Sequence, residues 1–432
     1  MAGIEERMER VHLLTDRIKE KRDELISIAV RDTGFTHREC SIEVDVNLKN
    51  LQGFDAMAST FAARQPLCGH EQEVALILPY NGSAWLNTAI VSIYLVANRV
   101  RVKFASRGSK IASFIESVYE PIFGDAIRFD YSDGRTFFDY SDGRTFLKNA
   151  IVNPDIPAIC LFGTDEYAGR YQDSIRSHKK KFIFEGPGKD PFIVVPGGDL
   201  EVAAHELAGG KYIYAGQTCT APERVYLHEV IHDDFLEIFL ELSRAVKMGD
   251  PKDPATEMGP VASPRAIANI KAQLEDAVAR GARIALGGKI EGNLVHPTVV
   301  VDATHDMLGM RDETFGPVSF ISSFSTIEEV IHLARDNRYG LRAAIYGDEE
   351  EARKVGEKLV GEPYCHPVEE MKFGVFGTIA VNQPRSESWQ NAFVGKPVGG
   401  YGYSGWIWET INDEFILKQG AKLLSLETSV KD

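Results

Sequence analysis

EVALILPYNGSAWLNTAIVSIYLVANRVRVKFASRGSKIASFIESVYEPIFGDAIRF, residues 73 to 129, alternates short apolar runs with helical stretches. EVALILPY reads as a strand, a helix starts near Ser83, RVRVKF is the next strand, SKIASFIESVYEPIF a helix and DAIRF a third strand. That is the rhythm of a parallel α/β sheet. A later stretch repeats it, with KFIFE and PFIVV as strands, a helix around EVAAHELAGGKYIY, the strand RVYLHE and a longer helix DDFLEIFLELSRAV. Two α/β units in series follow.

The 432 residues, 44% hydrophobic and 26% charged, suffice for two or three sizeable cores. A formal net charge of -15, with lysines and arginines scattered along the chain, opposes binding to nucleic acid or an anionic membrane. MAGIEERMERVHLLTDRIKEKRDELISIAV carries charges of both signs throughout, shows no signal peptide and predicts one amphipathic helix, with Met8, Val11, Leu14 and Ile18 on a shared face. The apolar run AWLNTAIVSIYLVANRV is short and interrupted by Asn87, Thr88, Ser92 and Asn98, so it reads as a packed helix. Cysteines at 40, 68, 160, 219 and 365 are odd in number and widely spread, which suits a reducing compartment and points to the cytoplasm. None belongs to a second closing pair at zinc-ligand spacing, and no metal site is expected.

FDYSDGRTF at 129 to 137 recurs unchanged at 138 to 146. A single nine-residue copy is no solenoid, and its Ser-Asp-Gly turn signal reads as a duplication in a surface loop. FEGPGKDP is not a phosphate loop, because the required earlier glycine is replaced by Ile183. KPVGGYGYSG likewise lacks a strand-to-helix setting.

FEGPGKDPFIVV, AGQTCTAPERVYLHE, VKMGDPKDPATEMGP, HPTVV, DETFGPVSFI, GTIAVN and VGGYGYSG stand in one order along nearly the whole chain. In that order and spacing they resemble the aldehyde dehydrogenase superfamily. The resemblance implies an α/β fold with two domains built on parallel sheets, a Rossmann-like cofactor domain and a catalytic domain, and a small β oligomerisation element that joins subunits. The implied boundaries are 1–185 for the dinucleotide-binding domain, 186–381 for the catalytic domain, and 382–432 for a return segment whose FILKQGAKLLSLETSV resembles a strand that pairs with another subunit. A homodimer or homotetramer is expected. The N-terminus is shorter than the family's usual one.

On the residues alone, a lone cysteine is more often an inert buried small residue than a nucleophile. The resemblance makes Cys219 the nucleophile, and the small neighbours Ala215, Gly216 and Thr220 suit a sulfur that substrate and cofactor must both reach. A thiolate adds to an aldehyde without needing a strong base. Asn81 matches the family's oxyanion-stabilising asparagine, acting with the backbone N–H of Cys219, while Tyr80 stands where a tryptophan is common. Glu185 aligns with the general base that hydrolyses the thioester, although Gly186, Pro187 and Gly188 replace the usual leucine and two glycines after it. The family's lysine on the helix after Asn81 is missing.

NADP or NAD is the implied cofactor. Lys103 resembles the lysine that contacts the adenosine ribose, and Ser106 stands where a carboxylate would repel a 2'-phosphate, so NADP is favoured, with Arg107 as added charge. Gly163 and Thr164 resemble the pyrophosphate-binding turn. Glu313 and Phe315 resemble the pair that positions the nicotinamide ribose and ring. Trp389, Phe393 and Trp406 flank the family's late substrate loop. The expected activity is oxidation of an aldehyde to a carboxylic acid; the alternatives are acyl transfer to coenzyme A, or a catalytically silent structural member.

Overall fold

The computed structural model describes residues 3–63, 66–130, 143–360, 364–367, 376–384 and 406–419. Four helices come first, α1 (Ile4–Glu20), α2 (Arg22–Thr33), α3 (His37–Gly53) and α4 (Ala58–Ala63). Met8, Val11, Leu14 and Ile18 are all buried on one face. The single helix expected over this stretch breaks at Lys21, which leaves helical geometry at φ −102° and ψ 17°. Residues 19–24 are all charged, so no apolar side chain holds the stripe together there.

The first sheet then builds through β1 (Glu73–Leu78), α5 (Ser83–Leu86), α6 (Thr88–Leu95), β2 (Arg99–Phe104), α7 (Ser109–Phe123), β3 (Ile127–Phe129), α8 (Gly143–Val152), β4 (Ala158–Phe162), α9 (Asp165–Ser177) and β5 (Lys181–Glu185). Its parallel strands run β5-β4-β1-β2-β3, so the order reverses between β1 and β4. That reversal opens a crevice at the carboxyl ends of the strands, where doubly wound sheets bind ligands. Val74, Leu76 and Leu78 face the helical N-terminal layer, and Ala75 and Ile77 face a second core with Phe146, Ile159 and Phe182. Burial on both faces explains why β1 reads as a continuous apolar run.

The polar interruptions of the apolar run at 84–100 are answered internally. Asn87 accepts hydrogen bonds from Asn47 and Tyr119, each at 2.9 Å, and donates to the carbonyl of Ala84 at 2.7 Å. Among the described residues no helix is long and apolar enough to cross a membrane. The tandem repeat straddles an element boundary: Phe129 ends β3, the second copy's Gly143–Phe146 opens α8 with Phe146 buried, and residues 131–142 lie outside the described part.

The chain crosses directly from β5 to the second sheet, made by β6 (Asp190–Val194), α10 (Leu200–Tyr212), β7 (Pro222–His228), α11 (His232–Ala245), α12 (Pro264–Ala279), β8 (Arg283–Leu286), the ribbon of β9 (Ile290–Glu291) and β10 (Leu294–Val295), β11 (Thr298–Val301), α13 (Leu308–Arg311), β12 (Val318–Phe324), α14 (Ile327–Arg335), β13 (Arg342–Tyr346) and α15 (Glu349–Leu359). With β14 (Tyr364–Pro367) in the first sheet and β15 (Thr378–Val381) here, the second sheet's order is β15-β13-β6-β7-β12-β11-β8, parallel except for β8. Finally β16 (Trp406–Ile411) and β17 (Glu414–Gln419) return to the first sheet as a hairpin, β16 pairing antiparallel with β5. Within the chain β17 thus pairs with β16 on one side and β14 on the other, so residues 415–419 of the expected subunit-pairing segment have their partners in this chain, and the remainder, 420–432, lies outside the described residues, as do Trp389 and Phe393.

Candidate active site

The carboxyl edge of the first sheet and the amino edge of the second supply the same group of loops. Asn81 follows β1, Ser106 follows β2, Gly163 and Thr164 follow β4, and Glu185 ends β5. From the second sheet, Gly188 and Lys189 precede β6, Cys219 precedes β7, and Glu313 and Phe315 precede β12.

The loop carrying Cys219 is tightly bent. Tyr214, Ala215 and Gly216 are consecutively left-handed, at φ 55°, 51° and 72°. For the two non-glycine residues this costs roughly 1–2 kcal/mol each and persists only where the surroundings impose it. At Gly216 a side chain is impossible, since a Cβ would lie 2.2 Å from the carbonyl oxygen of Gly316. Gly188 is constrained in the same way, with a Cβ falling 2.1 Å from the carbonyl oxygen of Cys219. The segment after Glu185 therefore passes directly against the cysteine's backbone.

Gln217, fully buried, ties this loop to its surroundings. Its amide donates to the carbonyls of Tyr214 at 2.8 Å and Pro260 at 3.1 Å, and its side-chain oxygen accepts from the Tyr80 hydroxyl at 3.1 Å and the Ala262 N–H at 2.7 Å. The amide of Asn81 donates to the Gln217 carbonyl at 3.0 Å, two residues before Cys219. Asn81 and the Cys219 loop are thus in direct contact. Tyr80 also meets Phe315 edge to face, with ring centroids 6.5 Å apart.

Glu313 accepts a hydrogen bond from the Gly188 N–H at 3.2 Å. Desolvation first, and the neighbouring Glu223 carboxylate next, raise its pKa well above the ordinary carboxylate range. The turn from Glu313 to Phe315 is held from below by a buried ion pair: Lys189 meets Glu223 at 2.8 Å and donates to the Thr314 hydroxyl at 2.8 Å. Glu223 in turn accepts from the N–H groups of Thr314 at 2.7 Å and Phe315 at 2.8 Å, and Phe315 is itself left-handed at φ 54°.

Glu185 is buried at the end of β5, and its carbonyl accepts from the Gly163 N–H at 3.0 Å. Beside it, the Thr164 hydroxyl oxygen is buried without a hydrogen-bond partner among the described residues, at the N-cap of α9. A buried hydroxyl left unpaired at a helix N-terminus fits a phosphate acceptor at that point. Lys103 is buried with its ammonium 3.4 Å from the Asp130 carbonyl, and Ser106 is exposed just after β2. Arg107, expected as added charge, is exposed, donates to the Ala262 carbonyl at 2.6 Å and lies 5.9 Å from the Tyr80 ring centre. Cys40, Cys68, Cys160 and Cys219 are free thiols, and no metal-binding cluster occurs among the described residues.

The model of the aldehyde dehydrogenase family matches residues 2–412. The chain belongs to the aldehyde dehydrogenase family. It is 26% identical over 414 residues to a succinate-semialdehyde dehydrogenase [NADP(+)] of Deinococcus radiodurans, covering 92% of this chain and 82% of that protein. A succinate semialdehyde dehydrogenase [NAD(P)+] of Escherichia coli is 28% identical, over 83% of this chain and 79% of the relative. The crystal structure of a succinic semialdehyde dehydrogenase from Streptococcus pyogenes, in complex with NADP+, shares the fold with a TM-score of 0.79 at 23% identity, over 98% of this chain and 88% of that one. The enzyme is an oxidoreductase of NAD(P)-dependent aldehyde oxidation.

The sequence does not single out Gln217, Glu223 or Lys189. Gln217 sits inside the GQTC motif, which marks its position and not its hydrogen bonds. Nothing local in TAPERV or GPGKDP announces that Glu223 and Lys189 form a buried pair.

Proposed function

We propose that the enzyme oxidises a small aldehyde to the carboxylic acid, with Cys219 as nucleophile, Asn81 as oxyanion donor and Glu185 as general base. The observation that carries this reading is the contact between the Asn81 amide and the loop of Cys219. The Cys219 thiolate adds to the carbonyl carbon, and the new oxyanion accepts from the Asn81 amide and the Cys219 N–H. NADP or NAD, when bound, accepts the hydride. Lys103, Ser106, Gly163 and Thr164 would hold its adenosine and phosphates, and Glu313 and Phe315 its nicotinamide end. Glu185 then takes a proton from water as that water attacks the thioester, releasing the acid and the thiol.

The parallel strands β1 to β5 with their helices serve as the dinucleotide-binding domain, 1–185, the segment 186–381 as the catalytic domain, although its β14 joins the first sheet, and 382–432 as the return and oligomerisation segment of a homodimer or homotetramer. Free cysteines suit the cytoplasm. Because the two relatives named above are succinate semialdehyde dehydrogenases, succinate semialdehyde is the first aldehyde to assay. Cys219→Ser should bind NADP and lose oxidation almost entirely, and Glu185→Gln should give one burst of reduced cofactor per site followed by turnover slowed about a hundredfold. Near-normal turnover in Cys219→Ser ends the covalent mechanism; acceleration of the parent by coenzyme A with accumulation of an acyl thioester replaces hydrolysis by acyl transfer.

A further inference from the structure

α3 carries two acids that the mechanism above does not use. Glu39 and Glu43, one helical turn apart, are 3% and 1% exposed. Buried carboxyls are uncommon unless something holds them. Each is held by backbone of the active-site loops.

Glu39 closes the capping box of α3, with one oxygen accepting from the Thr36 N–H at 2.7 Å. Its other oxygen accepts from the Tyr214 N–H, 175 residues further along the chain. Tyr214 is the first of the three left-handed residues that lead to Gln217 and Cys219. Glu43 accepts from the Ala84 N–H at 3.1 Å, three residues beyond Asn81, and the Gly82 N–H and the Tyr214 hydroxyl also act on its carboxyl. A capping box needs one oxygen of Glu39 and nothing from Glu43.

We propose that Glu39 and Glu43 are positioning residues for the oxidation, fastening the Cys219 loop and the Asn81 turn to one helix so that thiol and oxyanion donor meet the same carbonyl. This rests on the assignment of Cys219 and Asn81 above. Through these two acids a single rigid element sets the separation of two loops that come from different sheets. The Asn81 contact with the Gln217 carbonyl is where the two loops close on each other. The charged and titratable groups that act on the pair are Arg38 and Cys40 on the same helix, Tyr214 from the nucleophile loop, and the two acids on each other.

The test uses the full-length enzyme with NADP and succinate semialdehyde, comparing Glu39→Gln, Glu39→Ala and Glu43→Gln. Expected is a fall of about 10- to 100-fold in the rate constant of the first burst of reduced cofactor. Glu39→Gln, which keeps one acceptor, should lose less than Glu39→Ala. The dissociation constant for NADP should stay within about twofold, since its proposed contacts lie on other loops, and alkylation of Cys219 by iodoacetamide should change rate in step with the burst. If Glu43→Gln does not fold, Tyr214→Phe examines the same link by removing only the hydroxyl, and should also slow the burst. A burst at the parent's rate in the folded variants overturns the proposal, and so does a loss of NADP affinity equal to the loss of rate, which marks a general loosening. Turnover by Cys219→Ser would instead overturn the assignment on which the proposal rests, so the two failures are distinguishable.

Discussion

Glu223→Gln removes a carboxylate that lies against two buried ammonium groups. Lys189 lies 2.8 Å from Glu223 and Lys211 lies 3.9 Å away, with all three side chains at most 2% exposed. Burial, and to a smaller extent Arg224, lowers the Lys189 pKa, and Glu223 partly restores it; the Glu223 pKa is lowered because Lys189 and Lys211 outweigh its own desolvation. Breaking such a pair from one side costs about 3–5 kcal/mol, because a buried charge is left alone. The same substitution deprives one of the Thr314 and Phe315 N–H groups of its acceptor, about 1–3 kcal/mol more. Together these amount to about 4–8 kcal/mol, against a total stability of about 5–15 kcal/mol for an ordinary domain. Glu223→Gln should therefore unfold at much lower urea concentration, and any folded fraction should bind NADP more weakly, since the Glu313–Phe315 turn has lost its anchor. Adding Lys189→Met to the same chain should recover about 2 kcal/mol or more relative to the sum of the single effects, measured as a double-mutant cycle by urea denaturation. A Glu223→Gln midpoint within about 1 kcal/mol of the parent, or strict additivity in the cycle, would refute the idea that this pair supports the turn.

Ser106→Glu should move preference from NADP toward NAD by roughly 1–3 kcal/mol, read as the ratio of kcat/KM values; an unchanged kcat/KM for NADP means Ser106 does not face the ribose. Deleting residues 138–146 should leave thermal stability and kcat close to the parent, because the copies are identical, so the retained copy again ends β3 and opens α8 with a phenylalanine for the buried place of Phe146; a collapsed transition shows that the extra length is structural. Desolvation, with a smaller contribution from Glu39, pushes the Glu43 pKa up to about 8 from 4.5, so the folded state keeps a proton that the unfolded chain has lost between those values. Its stabilising effect is full below the unfolded pKa and is lost as pH rises through the folded one. Relative to the parent, Glu43→Gln should thus gain about 4 kcal/mol between pH 4.5 and 8, and a difference in urea midpoint that does not vary with pH contradicts the shift.

Local signals account for much of the architecture. EVALIL reads as a strand and is one, and RVRVKF, KFIFE and RVYLHE lie where their β-branched and aromatic content predicts. The amphipathic stripe of α1 was legible, while its end at Lys21 was not, because a run of charges neither demands nor forbids a helix. The return of β16 and β17 to the first sheet was hidden for a different reason. An antiparallel partner for β5 is chosen by tertiary packing more than 200 residues later in the chain, and nothing in WIWETI specifies which edge it will join.

The site divides along the same line. Cys219, Asn81 and Glu313 are read as site residues through the ordered motifs that resemble the family, so their positions are legible before any contact is known. The groups that hold them carry no such mark, because each works through a partner remote in sequence. The capping box of Thr36 and Glu39 uses only one of the two Glu39 oxygens, and the other binds Tyr214. A left-handed Tyr214 and Ala215 is a conformation that sequence preference opposes. It persists here because Glu39, Gln217 and the close approach of Gly316 to Gly216 impose it together. The strain and its supports sit immediately before the cysteine, where a displaced loop would shift the Gln217 carbonyl that the Asn81 amide holds. Substitutions that slow the chemistry without touching substrate should therefore concentrate on α3 and around Gln217, both remote from Cys219 in sequence or inconspicuous beside it.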